Sequence, residues 1–204
     1  MSEWATARGA RIDVVRSPEV VGWPDPRSVD AVVALGSDRS VHASTDPWIA
    51  PQLEFLRAAH AARVPVLGIC FGGQALAAAL GGTVAPAPRT EIGWIEVDGD
   101  DGYGGSWFTW HEDAFTVPPG ASEVARSERS SLAFAQGRHL GIQFHAETTP
   151  EIVADWVEED RHRLPGWGLD PDALEREGER VRAAAEAAAD RFFAHWWRDR
   201  VGGA

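Results

Sequence analysis

Val64-Pro65-Val66-Leu67-Gly68-Ile69-Cys70-Phe71-Gly72-Gly73-Gln74 is the stretch on which the fold of this chain turns. The apolar run through Ile69 reads as a short buried strand. Phe71 to Gln74 then opens an alanine- and leucine-rich helix that ends at Gly81-Gly82. Cys70, the only cysteine in the chain, stands at the corner between them. Glycines around such a corner remove the Cβ atoms that would clash in a tight strand-to-helix turn, as in a nucleophile elbow. The helix N-terminus points unpaired N–H groups at the sulfur and favours thiolate over thiol.

Working outward, Ile12 to Val15 and Ala31 to Leu35 read as strands, the second ending at Gly36. Pro51 to Ala62 carries Leu53, Leu56, Ala59 and His60 at helical spacing and leads into the Cys70 strand. This β-α-β order predicts an α/β fold: a doubly wound, mostly parallel sheet with helices on both faces. Ile92 to Val97 and Trp107 to Trp110 read as strands around the glycine- and acid-rich stretch from Asp98 to Ser106. Ser131 to Ala135 and Leu140 to Phe144 flank Gly137 as a late antiparallel hairpin.

The last third is helical. Thr149-Pro150-Glu151 supplies a capping hydroxyl, a proline in the first turn and an early acid, so a helix is expected to about Arg161. Asp170-Pro171 starts another, over 170–197, with Val181, Ala184, Ala188, Phe192 and Trp196 as its apolar stripe. With no linker or internal repeat, residues 1–204 read as a single domain.

Composition narrows the function. A net charge of −12 argues against a nucleic-acid partner, which would need a basic patch. No apolar run is long enough to span a membrane. One cysteine forms no internal disulfide, and a reactive thiol survives best in a reducing compartment, so a cytoplasmic location is expected. His42, His60, His139, His162 and His195 form no metal-ligand pattern and read as surface or packing residues.

Two further segments bear on Cys70: Trp110-His111-Glu112-Asp113 and Gly141-Ile142-Gln143-Phe144-His145-Ala146-Glu147. A cysteine, a distant histidine and a neighbouring acid make a nucleophilic catalytic set. In extended chain, residues i and i+2 project to one side, which would let His145 and Glu147 act as a unit.

These segments, in this order on an α/β pattern, resemble the class I (triad-type) glutamine amidotransferases, a family with a flavodoxin-like fold. Gly68 to Gln74 is similar to the family's nucleophile motif, and Gly141 to Glu147 to its histidine–glutamate motif. The resemblance implies Cys70, His145 and Glu147 as the catalytic triad, with backbone N–H groups at Gly36 and Phe71 as the oxyanion hole. It implies glutamine as substrate, held with the help of Gln74, His111 and Asp113, though His111 and Asp113 are equally readable as residues that order their loop. Glutamine would give glutamate and ammonia through a cysteine thioester. A separate ammonia-accepting synthase is implied as partner, GMP synthase being the best-known relation of this kind, and no cofactor is needed.

Three features depart from the family pattern. The oxyanion loop reads Gly36-Ser37-Asp38 where paired glycines are usual, and Ala146 stands where proline is usual. The chain also starts at what corresponds to the end of the first helix, so the usual first strand is missing. That strand belongs inside the sheet, and its loss would leave two rows of backbone groups unpaired unless the neighbours closed up. A start codon placed too late, or a truncation, is the expected cause. Two other readings stand beside the glutaminase: a γ-glutamyl amide or peptide hydrolase using the same triad, and a non-catalytic interaction module. The Phe192-Phe193 and Trp196-Trp197 pairs either dock a partner or pack on the chain's own sheet.

Overall fold

A computed structural model describes residues 1–43, 45–100 and 102–202. After a short helix α1 (Ser2–Thr6) the elements run β1 (Val32–Ala34), α2 (Ile49–Ala61), β2 (Val66–Ile69), α3 (Phe71–Ala79), β3 (Val84–Gly99) and β4 (Gly105–Phe115). They continue through β5 (Ser122–Arg126), β6 (Ser131–Gln136), β7 (His139–Ile142), α4 (Pro150–Asp160) and α5 (Pro171–Trp196), which ends in a π-helical turn at Trp197–Val201.

All of these strands lie in one sheet, in the order β1-β2-β7-β6-β5-β3-β4. β1, β2 and β7 are parallel, and every pairing from β7 onward is antiparallel. The α/β architecture with flanking helices is therefore as expected, but the sheet is mixed, with parallel pairing confined to three strands. The long β3–β4 hairpin is the main reason, because it extends well past the short strands read at Ile92 and Trp107. β5, which no alternation in Ser122–Arg126 announced, fills the space between β6 and β3.

Ile12 to Val15 is not a strand. It runs without a ladder partner among the described residues, and Val14 is 80% exposed. Val32–Ala34, paired only to β2, is the sheet's edge. The two rows of backbone groups expected to lose their neighbour are thus both unpaired by strands, and they have not closed on each other. A β-branched run forms a strand only when another strand supplies the ladder.

The β2 side chains alternate between two cores. Leu67 and Ile69 pack with Leu140, Ile142, Phe144 and the α5 residues Phe192, Phe193 and Trp196, while Val66 packs with α2 and α3 through Leu56, Ala59, Ala75 and Leu76. Helices therefore cover both faces, and the terminal aromatics pack on the chain's own sheet. In α5 the buried stripe is Leu174, Gly178, Phe192, Phe193 and Trp196; Ala184 faces outward, since only the end of this long helix crosses the sheet. A third cluster joins Phe108 of β4 to Val153 and Val157 of α4. Among the described residues, no helix is long and apolar enough to cross a membrane.

Candidate active site

Cys70 sits between β2 and α3 at φ 52° and ψ −111°, a conformation that costs a non-glycine residue energy. The surroundings hold it there. The Cys70 N–H donates to the Ile142 carbonyl at 2.8 Å, carrying the β2–β7 pairing into the corner. Gly72 is required by close approach: a Cβ on it would overlap the Ala34 carbonyl of β1. Phe71 begins α3, so its N–H is among those a helix start leaves without an intrahelical acceptor.

His145 reaches the site by a different route. Its N–H donates to the Phe108 carbonyl at 2.8 Å, an isolated bridge that anchors the end of β7 to β4. The chain then turns at Ala146-Glu147 instead of continuing extended. The turn still brings Glu147 Oε1 to 2.7 Å from His145 Nδ1. Thr148 Oγ1 donates to the His145 carbonyl at 3.0 Å, and the Trp156 ring packs edge-on against the imidazole. Burial alone would push His145 toward its neutral form. The Glu147 carboxylate and the Cys70 sulfur outweigh it, and raise the imidazole to about 10 from the ordinary 6.5. Gly36 is the third neighbour of this pair: a Cβ there would lie 3.4 Å from His145 Cε1 and 3.9 Å from Cys70 Cβ.

Gln74, His111 and Asp113 are joined to one another. Gln74 Nε2 donates to the Asp113 carbonyl at 3.1 Å and to Gln143 Oε1 at 3.2 Å. His111 Nδ1 contacts the same Asp113 carbonyl at 2.9 Å, and its buried ring faces Glu91 Oε2 at 3.3 Å. The Asp113 carboxylate is engaged by Ser40 Oγ at 2.6 Å and His42 Nε2 at 3.2 Å. As placed, His111 and Gln74 order the hairpin and the wall of the site; Asp113 holds the segment that follows β1.

Sequence reasoning missed Gln143, whose Nε2 lies 3.6 Å from Cys70 Sγ. Its position two residues before His145 was the available signal. Trp110 has no role that its sequence context assigns, yet its carbonyl lies 3.7 Å from the sulfur. Ser40, His42 and Glu91 carried no local signal, because their partners are distant in sequence.

The arrangement sets the Cys70 sulfur at a helix start beside a buried histidine–carboxylate pair, a combination that suits acyl transfer. The family model for glutamine amidotransferase class-I matches residues 8–157. The chain is 30% identical over 176 residues to a glutamine-hydrolysing GMP synthase of Aromatoleum aromaticum, covering 74% of this chain and 33% of that protein. It is 32% identical over 136 residues to one subunit of the glutamine-hydrolysing GMP synthase of Ignicoccus hospitalis, covering 61% of this chain and 70% of the relative. The chain thus spans about a third of the length of the first of these and most of the second. Among solved structures, a glutamine amidotransferase from Methylobacillus flagellatus superposes with a TM-score of 0.88 at 28% identity, covering 97% of this chain and 88% of that one.

Proposed function

This chain belongs to the class I glutamine amidotransferases, and from that premise we propose that it hydrolyses the side-chain amide of glutamine at Cys70, His145 and Glu147. The observation that carries the reading is the strained Cys70 corner beside a His145–Glu147 pair at 2.7 Å.

The Cys70 thiolate attacks the carboxamide carbon, and the C=O electron pair moves onto oxygen. N–H groups at Phe71 and in the segment at Gly36 would receive that oxyanion, a contribution worth about a hundredfold to a thousandfold in rate per donor. His145, held by Glu147, gives its proton to the departing nitrogen, so ammonia leaves and a thioester remains. The neutral imidazole then takes a proton from water, whose oxygen attacks the thioester. Collapse of that intermediate breaks the C–S bond and releases glutamate.

Cys70 is 7% exposed, which favours a leaving group as small as ammonia over the bulky amines of γ-glutamyl peptides. A separate synthase as ammonia acceptor is supported by the Ignicoccus hospitalis relative, which is itself one subunit of a GMP synthase. Asp113, once released from Ser40 and His42, would receive the substrate ammonium, a role supported by the bond of its carbonyl to Gln74.

Intact-mass spectrometry after incubation with a glutamine-mimicking diazo-ketone tests this reading. A single adduct, absent from Cys70→Ala, together with glutamate release by the wild type, is the expected result. A folded protein that takes up no adduct, with glutamate formation no faster than in Cys70→Ala, overturns it.

A further inference from the structure

Trp156 lies against the proposed catalytic pair, yet the proposed chemistry does not use it. Its indole centroid is 4.8 Å from that of the His145 imidazole, with the two ring planes at 66°. The helix that carries it starts directly after the site. Thr149 caps α4 by accepting from the Ile152 N–H at 3.4 Å, and Val153, Trp156 and Val157 then fall on one face at helical spacing. Val153 and Val157 are fully buried in one cluster with Phe108 of β4, so this face is pressed onto the strand that bridges to His145.

The indole is itself hemmed in. Phe108 and Trp110 both pack on it, each with ring centroids 6.2 Å away. Phe108 also takes the His145 N–H on its carbonyl at 2.8 Å, and the Trp110 carbonyl lies 3.7 Å from Cys70 Sγ. The same two β4 residues thus anchor the His145 backbone, approach the sulfur and brace the ring that abuts the imidazole.

That contact supplies what the polar contacts of His145 leave open. Glu147 Oε1 meets the imidazole at Nδ1, 2.7 Å away, and the Cys70 sulfur faces it as a second partner. Hydrogen bonds to imidazole nitrogens run near the ring plane, so two of them leave the ring free to rock about the line that joins them. A third contact, from a rigid indole with only two side-chain torsions, removes that freedom.

We propose that Trp156 is a positioning residue for His145: braced by Phe108 and Trp110, its indole fixes the imidazole so that Glu147 and Cys70 are engaged together. The proposal rests on the reading of Cys70 and His145 as the reacting pair, but not on the identity of the substrate.

The test is the rate of Cys70 alkylation by iodoacetamide across pH, measured beside glutaminase kinetics, with thermal melting to establish that each variant is folded. Trp156→Leu keeps an apolar side chain and removes the ring. Alkylation at neutral pH is expected to slow about tenfold, the upper end of what an aromatic pair contributes beyond its area. The acid limb of the profile moves to higher pH, because a loosened imidazole holds the thiolate less well. Glutaminase kcat falls by about tenfold to a hundredfold with KM little changed, as small misplacements at an active site do. Trp156→Phe, which restores a ring, stays close to wild type in both assays. On a His145→Gln background the Trp156→Leu change adds nothing further, because the ring it acts through is gone.

A folded Trp156→Leu protein whose alkylation is unchanged or faster overturns the proposal. So does slowing by the same factor on both backgrounds, or a Trp156→Phe protein no better than Trp156→Leu, since lost packing alone would then account for the effect. Should Trp156→Leu not fold, Trp156→Met fills the gap with a flexible chain and is read by the same criteria. Iodoacetamide needs no glutamine-shaped pocket. A wild type that alkylates but never turns over glutamine counts against the glutaminase reading alone, and the alkylation cycle then decides Trp156.

Discussion

Ser40 Oγ donates to Asp113 Oδ2 at 2.6 Å, tying the segment after β1 to the end of β4. His42 adds a second contact to the same carboxylate at 3.2 Å. The segment begins at Gly36, against His145 and Cys70, so it runs from the proposed catalytic pair to the carboxylate proposed for the substrate ammonium. Ser40→Ala removes a bond with which the substrate must compete. Hydrogen bonds to charged groups contribute about 1.5–3 kcal/mol, so KM for glutamine should fall by about tenfold to a hundredfold with kcat little changed. Steady-state kinetics decide it; a higher KM would mean that Ser40 itself contacts substrate.

Glu147→Gln keeps the shape of the pair and removes its charge. Glutaminase kcat is expected to fall by about a thousandfold or more, as in other triads whose acid is neutralised, and the fold is expected to lose stability at pH 7 with the charge that holds the His145 proton. The pH dependence of stability supplies an independent check. His145 in the fold sits at about 10 against an ordinary 6.5. Its proton binding therefore stabilises the fold fully below about 6.5, and that contribution disappears as pH rises toward 10. Melting curves of the wild type should drop across this window, and those of Glu147→Gln should drop less.

How much of this was legible in the sequence follows from how local each feature is. The Cys70 corner was readable because strand, nucleophile, glycines and helix start are consecutive from Val66 to Gln74. His145 and Glu147 were readable as a pair even though a turn, and not extended chain, brings them together. Ile12 to Val15 has the composition of a strand, but composition supplies no neighbour to pair with. The partners of Glu91 and of Gln143, the latter marked in sequence only by its place two residues before His145, were out of reach for the opposite reason. Those partners come from a hairpin register and from hydrogen bonds linking residues tens of positions apart.

The His60–His139 contact predicts acid sensitivity at the opposite end of β7. His60 Nδ1 and His139 Nε2 are 2.9 Å apart, which requires one ring to donate and the other to accept. Burial of His139, with His60 from α2 and Arg200 from the C-terminal turn facing it, depresses the imidazole to about 4. The fold therefore prefers neutral His139, and the stability this provides is complete above about 6.5 and is lost as pH falls toward 4. His139→Leu should flatten that loss in melting curves taken between about pH 7 and 4.5. An unchanged slope would assign the acid sensitivity to other groups.

The unpaired edge makes the last prediction. Ile12, Val14, Val15 and Val21 are all exposed, Val21 completely, and the run from Arg11 to Arg16 has no strand on either side among the described residues. Each arginine there is free of the helices and ladders that keep backbone out of a protease active site. Limited trypsin digestion of the native protein should therefore cut first after Arg11 or Arg16. Arg57, Arg180 and Arg182, inside α2 and α5, should be cut only after unfolding. Rapid appearance of fragments from those two early cuts, with the core from Val32 onward intact, is the expected pattern in mass spectra. Strong protection at both early sites would mean that the segment is covered by strand pairing in solution, and that Val32–Ala34 is not an edge there.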